Sequence, residues 1–145
     1  MDPIQLGAAM REIALRSEFW DELGDFGYMD GGCRIYAEAA RTYLGPASEI
    51  AFVIAEGSGV GPIVDHALVV YGEHVFDGDG ASPIDGYLSR YEQLEQRGEM
   101  LLELLHADEV AEERDLARQV RDLPVNAPLS RRLAAAWRAE LGDPR

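Results

Sequence analysis

Cys33 is the only cysteine in the chain and stands in the stretch Asp30-Gly31-Gly32-Cys33-Arg34-Ile35-Tyr36, where a glycine turn delivers it to the start of a helical pattern. A helix start concentrates unpaired backbone N–H groups and the positive end of the helix dipole. A thiol placed there is acidified toward the reactive thiolate, and the same N–H groups can hold a developing oxyanion. Such a thiol needs a base, for which His66 is the best candidate, and Asp77, eleven residues further on, can orient that base. Each has an ordinary structural use: a lone cysteine on an Ala-rich helix is commonly a small core residue, a strand histidine bonds a neighbour, and an aspartate before glycine forms a turn. Gly31-Gly32 favours the chemical use, because close backbone approach has little purpose in a plain helix start.

Local pattern can bring the base to the acid. The run from Asp65 to Tyr71, then Gly72-Glu73, then His74 to Asp77 reads as a β-hairpin with a two-residue turn. Pairing Tyr71 with His74 sets Val70 opposite Val75, Leu68 opposite Asp77 and His66 opposite Asp79. Strand alternation then puts His66, Leu68, Val70, Val75, Asp77 and Asp79 on one face, with His66 and Asp77 as diagonal neighbours. His74 shares a face with Tyr71 and is expected on the solvent side near the turn.

The thiol is positioned by a helix from Cys33 to Leu44, with Cys33, Tyr36, Ala37, Ala40 and Leu44 on one face and Gly45-Pro46 as the stop. Cys33 falls on the buried face and is expected to be partly covered. Before it, Asp2-Pro3 opens a helix over 3–16 that continues or restarts over 17–23 and stops at Gly24, followed by a loop over 25–32. Residues 50–54 form a strand, and 57–62 read as a flexible connection that lacks the Gly-Lys-Ser/Thr ending of a phosphate loop. Residues 78–83 read as a loop, without the acidic set of a calcium site. A helix is expected from Tyr87 to about Gln96, ending at Gly98, then a strand over 100–105, helices over 110–120 and 130–141 with Ser130 as N-cap, and a linker over 124–128.

Three patches now stand in order: Gly-Gly-Cys opening an Ala-rich helix, Asp-His-Ala-Leu-Val-Val-Tyr-Gly, and Val-Phe-Asp-Gly-Asp-Gly. Over about residues 30–80 they resemble the papain-like and transglutaminase-like thiol hydrolases, in particular small bacterial and phage members. The resemblance implies an α+β fold, with a papain-like core (about 25–106) in which a central cysteine-bearing helix packs on a small antiparallel sheet. N-terminal helices and a C-terminal helical extension (about 107–145) complete one domain over 1–145. It further implies Cys33 as nucleophile, His66 as general base and acid, and Asp77 as the group that fixes the imidazole. The Cys33 N–H would serve the oxyanion, with Gly32, Tyr28, Asp30 and Asp79 lining the site. Two positions depart from the pattern: Arg34 replaces the aromatic residue after the cysteine, and Gly27 stands where the oxyanion glutamine is expected.

The function implied is hydrolysis or acyl transfer at an amide, isopeptide or thioester bond. No cofactor is expected, and the Cys33, His66 and Asp77 spacing fits no zinc pattern. A net charge of −14 argues against a nucleic-acid partner and suits a peptide or protein substrate that carries basic residues. The same charge supports an alternative, a non-catalytic acidic binding or inhibitor module on the same scaffold. No apolar run approaches the roughly 20 residues that span a bilayer. One cysteine and an N-terminus without a basic or apolar leader lead us to expect a cytoplasmic protein.

Overall fold

The computed structural model describes residues 1–57, 59–95 and 100–144. Among these the fold is α+β, with seven α-helices and one five-stranded antiparallel sheet. The helices are α1 (Pro3–Ala14), α2 (Ser17–Trp20), α3 (Cys33–Leu44), α4 (Tyr87–Glu95), α5 (Ala107–Ala111), α6 (Arg114–Asp122) and α7 (Ala127–Leu141). The strands are β1 (Ser48–Gly57), β2 (Val60–Tyr71), β3 (His74–Asp77), β4 (Gly80–Pro83) and β5 (Leu101–His106), in the spatial order β4-β3-β2-β1-β5.

Helix α3 lies on one face of the sheet with α7 beside it. Its long apolar run explains the position: Cys33, Ile35, Tyr36, Ala37, Ala39, Ala40, Tyr43 and Leu44 are all buried, leaving only a narrow polar strip. Helix α7 is tied to this core by buried polar side chains. The Trp137 indole N–H donates to the Met10 carbonyl at 2.9 Å, and the Ser130 hydroxyl to the Ile35 carbonyl at 2.9 Å. The opposite face of the sheet carries a second cluster, in which Tyr87 and Tyr91 of α4 cover Ala51, Val53, Leu68 and Val75. Strand β1 is therefore covered on both faces, which is why its sequence is a continuous apolar run and not an alternating one.

The expected hairpin register is present: Tyr71 pairs with His74 and Val70 with Val75. The ladder stops at Val69 and Phe76, however, because β3 ends at Asp77 and the chain turns through Gly78 and Asp79 to pair Asp77 with Gly80. Asp79 thus sits in a turn and not opposite His66, and the expected loop over 78–83 contains β4. The connection expected over 57–62 is mostly strand: Gly57 pairs with Val60, so β1 and β2 form a second tight hairpin. A bulge between Val53/Ile54 and His66/Val64 leaves Asp65 as the extra residue of β2.

Other boundaries also move. The first helix breaks after Ala14 and restarts at Ser17, and the helix expected over 110–120 is split into α5 and α6, with the Glu113 carboxylate accepting from the Leu116 N–H at 2.9 Å. Helix α7 begins at Ala127 with Asn126 as its N-cap, because Pro128 is accommodated in the first turn and Ser130 bonds α3 instead. The expected end of the Tyr87 helix at Gln96 to Gly98 lies outside the described residues.

Helix α1 crosses β4 at Gly7, where an added Cβ would stand 2.4 Å from both Cβ and N of Ala81. Alanine is the better helix former by about 1 kcal/mol, but overpacking against backbone costs about 1–3 kcal/mol. We expect Gly7→Ala to lower the urea midpoint of unfolding without changing the slope. An unchanged or raised midpoint would show that α1 shifts freely.

Candidate active site

The site forms where α3 begins, β3 ends and α4 passes over β2. Asn, Asp, Ser and Thr normally cap helices, but α3 is entered through a glycine turn. The Gly27 carbonyl accepts from the Asp30 N–H at 3.2 Å and from the Gly32 N–H at 2.9 Å. Gly31 holds φ +92°, in the left-handed region, and a Cβ on Gly32 would lie 2.8 Å from the Gly27 oxygen. The two glycines therefore turn the chain sharply enough to set Cys33 in the first turn of α3.

Gly27, at the start of this turn, is crowded as well. A Cβ at Gly27 would stand 2.9 Å from the Trp20 ring, so a long side chain has no room there unless Trp20 moves.

The structure brings Cys33, His66 and Asp77 together, with exposures of 6%, 2% and 6%. Nε2 of His66 and Oδ2 of Asp77 are 3.1 Å apart. The His66 imidazole and the backbone N–H groups of Ala67 and Arg34 all act on the thiol to favour its charged form. As the first residue of α3, Cys33 also carries an N–H that the helix cannot pair internally.

The electrostatics favour a charged pair. Burial pushes the Cys33 thiol up, but the hydrogen bond and positive charge of His66, with the two backbone N–H groups, outweigh it and bring the thiol below its ordinary value. Burial likewise opposes protonation of His66, but the hydrogen bonds to Asp77 and Cys33 and their charges raise it to about 9. The arrangement therefore favours a thiolate beside an imidazolium.

Two tyrosines of the helix expected from Tyr87 onward, neither of them a site candidate from sequence, belong to this site. The Tyr87 hydroxyl donates to Oδ2 of Asp77 at 2.9 Å, and the Tyr91 ring stacks on the His66 ring with centroids 5.5 Å apart. The Tyr91 hydroxyl donates to Asp65 at 2.6 Å, which fixes the stacking ring against the bulge in β2. Their spacing, two tyrosines four apart on one helix face, was the available signal.

The remaining sequence candidates are placed as follows. Gly32 forms the turn beneath the thiol, while Asp30 is exposed. Tyr28 is buried between Trp20 and Tyr36, and its hydroxyl is spent on the Ala14 carbonyl at 3.0 Å. Its Cβ faces Gly78, where an added Cβ would come within 2.6 Å, so Tyr28 supports the turn after Asp77. Asp79 donates its N–H to Oδ1 of Asp77 at 2.9 Å. Its own carboxyl is raised by partial burial and by the charge of Asp77. Among the described residues no group of three or more His, Cys, Asp or Glu side chains is placed to hold a metal ion.

The two shifts have opposite pH signatures. His66, raised from 6.5 to about 9, contributes its full stabilisation below about pH 6.5 and loses it as the pH rises through about 9. Cys33, lowered in the native state, contributes above the ordinary thiol value and loses that contribution as the pH falls through its native value. In Asp77→Asn the carboxylate charge is gone while burial remains, so the His66 midpoint should fall well below 9 in a histidine ring-proton NMR titration. A midpoint unchanged by Asp77→Asn would mean that the carboxylate does not set the imidazole charge. Tyr87→Phe removes a bond to a buried carboxylate and should cost about 1–3 kcal/mol in urea unfolding. Comparisons with protein families, with curated proteins and with solved structures find no match for this chain.

Proposed function

We propose that this protein is a cysteine-dependent hydrolase or acyltransferase that acts on an amide, isopeptide or thioester bond, built on a papain-like core. The observation that carries this reading is the buried relay from Asp77 through His66 to a thiol in the first turn of α3. A merely structural cysteine has no use for a histidine held charged by a buried carboxylate. The papain-like assignment is supported by the chain order, in which a cysteine-bearing helix on the sheet is followed by a histidine strand and an acid strand.

In this reading the Cys33 thiolate attacks the carbonyl carbon, forming an S–C bond and a tetrahedral oxyanion that the Cys33 N–H receives. The imidazolium of His66 gives its proton to the leaving nitrogen or sulfur as that bond breaks, which leaves a thioester on Cys33. Water or an acceptor amine then gives its proton to His66 and attacks the thioester, and the thiolate departs. Asp77 keeps the ring oriented throughout and stabilises its charged form. The net charge of −14 favours peptide or protein substrates with basic residues. A lone cysteine suits a reducing, cytoplasmic setting, and no helix among the described residues is long and apolar enough to cross a membrane.

The test is the rate of Cys33 alkylation by iodoacetamide as a function of pH. We expect the rate in the wild type to rise with a midpoint below the free-thiol value of about 8.5. In His66→Ala the midpoint should move above that value, because burial then acts without the opposing charge. Identical profiles in the two proteins would make Cys33 a packing residue and remove the reading.

A further inference from the structure

Strand β2 is twelve residues long, pairs with β1 back to Val60, and pairs with β3 only from Tyr71 to Val69. Beyond that point its second edge is open to other partners. The Ala67 N–H on this stretch is one of the groups that favour the Cys33 thiolate. Further along, the Val64 N–H donates to the side-chain oxygen of Gln119 at 2.7 Å, and the side-chain nitrogen of Gln119 donates to the Pro62 carbonyl at 3.0 Å. One amide thus supplies an acceptor and a donor to the groups that flank Ile63, as a residue of an added strand would.

Gln119 lies on α6, which reaches the nucleophile from the same side. The Arg34 guanidinium, one residue after Cys33, donates to the Val120 carbonyl at 2.7 Å. Helix α6 therefore lies along the open edge and is tied to the first turn of α3. Its hold is slight, since Leu116 is its one fully buried side chain. Pro62 has no N–H, so at this position the edge can offer only its carbonyl, the group that Gln119 uses.

We propose that the Pro62–Val64 edge of β2 is a peptide-binding subsite that pairs with the extended backbone of the substrate, and that the Gln119 amide occupies it in the resting protein as an intramolecular stand-in. This rests on the reading of Cys33 as the nucleophile and specifies its substrate: an extended peptide, recognised through its main chain, that must displace Gln119. Helix α6 is then an autoinhibitory strap whose key is one side chain.

The experiment compares two chloromethyl ketones with the same reactive group, chloroacetone and an acetylated tri-alanine chloromethyl ketone. In each case the Cys33 thiolate displaces chloride and forms an S–C bond, but only the peptide reagent can pair with the edge. We expect Gln119→Ala to leave the chloroacetone rate within about twofold and to raise the tri-alanine rate about tenfold, because the peptide no longer has to displace a pair of hydrogen bonds. Gln119→Glu keeps the acceptor for Val64 but loses the donor to Pro62, and should fall between the wild type and Gln119→Ala. Equal changes in both rates, or an unchanged peptide rate, would overturn the proposal. A fast, histidine-dependent reaction with chloroacetone in those same proteins would still leave the thiolate reading in place.

Discussion

The buried carboxylate of Asp77 is the constraint around which the site is built. An ionised carboxylate taken out of water costs several kcal/mol unless its oxygens are matched by donors. Here Oδ2 meets His66 and the Tyr87 hydroxyl, and Oδ1 meets the Asp79 N–H. Those partners come from β2, α4 and the turn after β3, so three elements are located by one side chain. The turn is in turn seated by Tyr28 against Gly78. The charge that costs so much to bury also holds His66 protonated and, through it, favours the thiolate of Cys33. Stability and reactivity share the same hydrogen bonds, and packing variants around Asp77 should therefore perturb both.

A second constraint is the mismatch in strand length. A twelve-residue β2 beside a four-residue β3 leaves backbone donors and acceptors without a strand partner, and such edges invite pairing with other chains. Along this edge the Ala67 N–H acts on the Cys33 thiol, and the Gln119 amide takes the Val64 N–H. The thiol therefore sits at the sheet edge, between α3 on one face and the Tyr91-covered His66 on the other. That position explains how a residue packed in the α3 cluster reaches a histidine that alternates with Leu68 toward the opposite cluster.

Much of the site was legible because it depends on local rules. The Gly72-Glu73 turn fixes the register of the hairpin, and alternation then places Leu68 and Val75 in one cluster, with His66 and Asp77 near each other. Gly31-Gly32 announced a backbone too tight for side chains, as the Gly27 carbonyl contact bears out. The failures have a common cause, since each depended on a partner distant in sequence. Residues 57–62 look like a loop by composition, yet Val60 to Pro62 are strand because β1 pairs on either side of them, Gly57 with Val60 and Ala55 with Ile63. Ser130 resembles an N-cap but bonds Ile35, far back in the chain. The four-residue spacing of Tyr87 and Tyr91 marks a shared helix face but not its target, and Gln119 has no local mark, because these roles exist only once α4 and α6 lie on the sheet.

The two C-terminal helices divide the labour energetically. Helix α7 buries Leu129, Leu133, Ala134 and Trp137 and spends two buried polar side chains on the backbones of α1 and α3. Burial of such side chains is worth about 1.5–3 kcal/mol each for the larger ones, so α7 can separate from α3 only when the core unfolds. Helix α6 buries Leu116 and adds a few bonds to backbone groups at the cleft. Its local opening therefore lies far below the global stability of about 5–15 kcal/mol typical of a domain. An extended peptide that replaces the Gln119 bonds with its own can meet most of that cost, whereas the geometry of Cys33, set by α3 and α7, stays fixed. Opening of α6 therefore leaves the first turn of α3 in place.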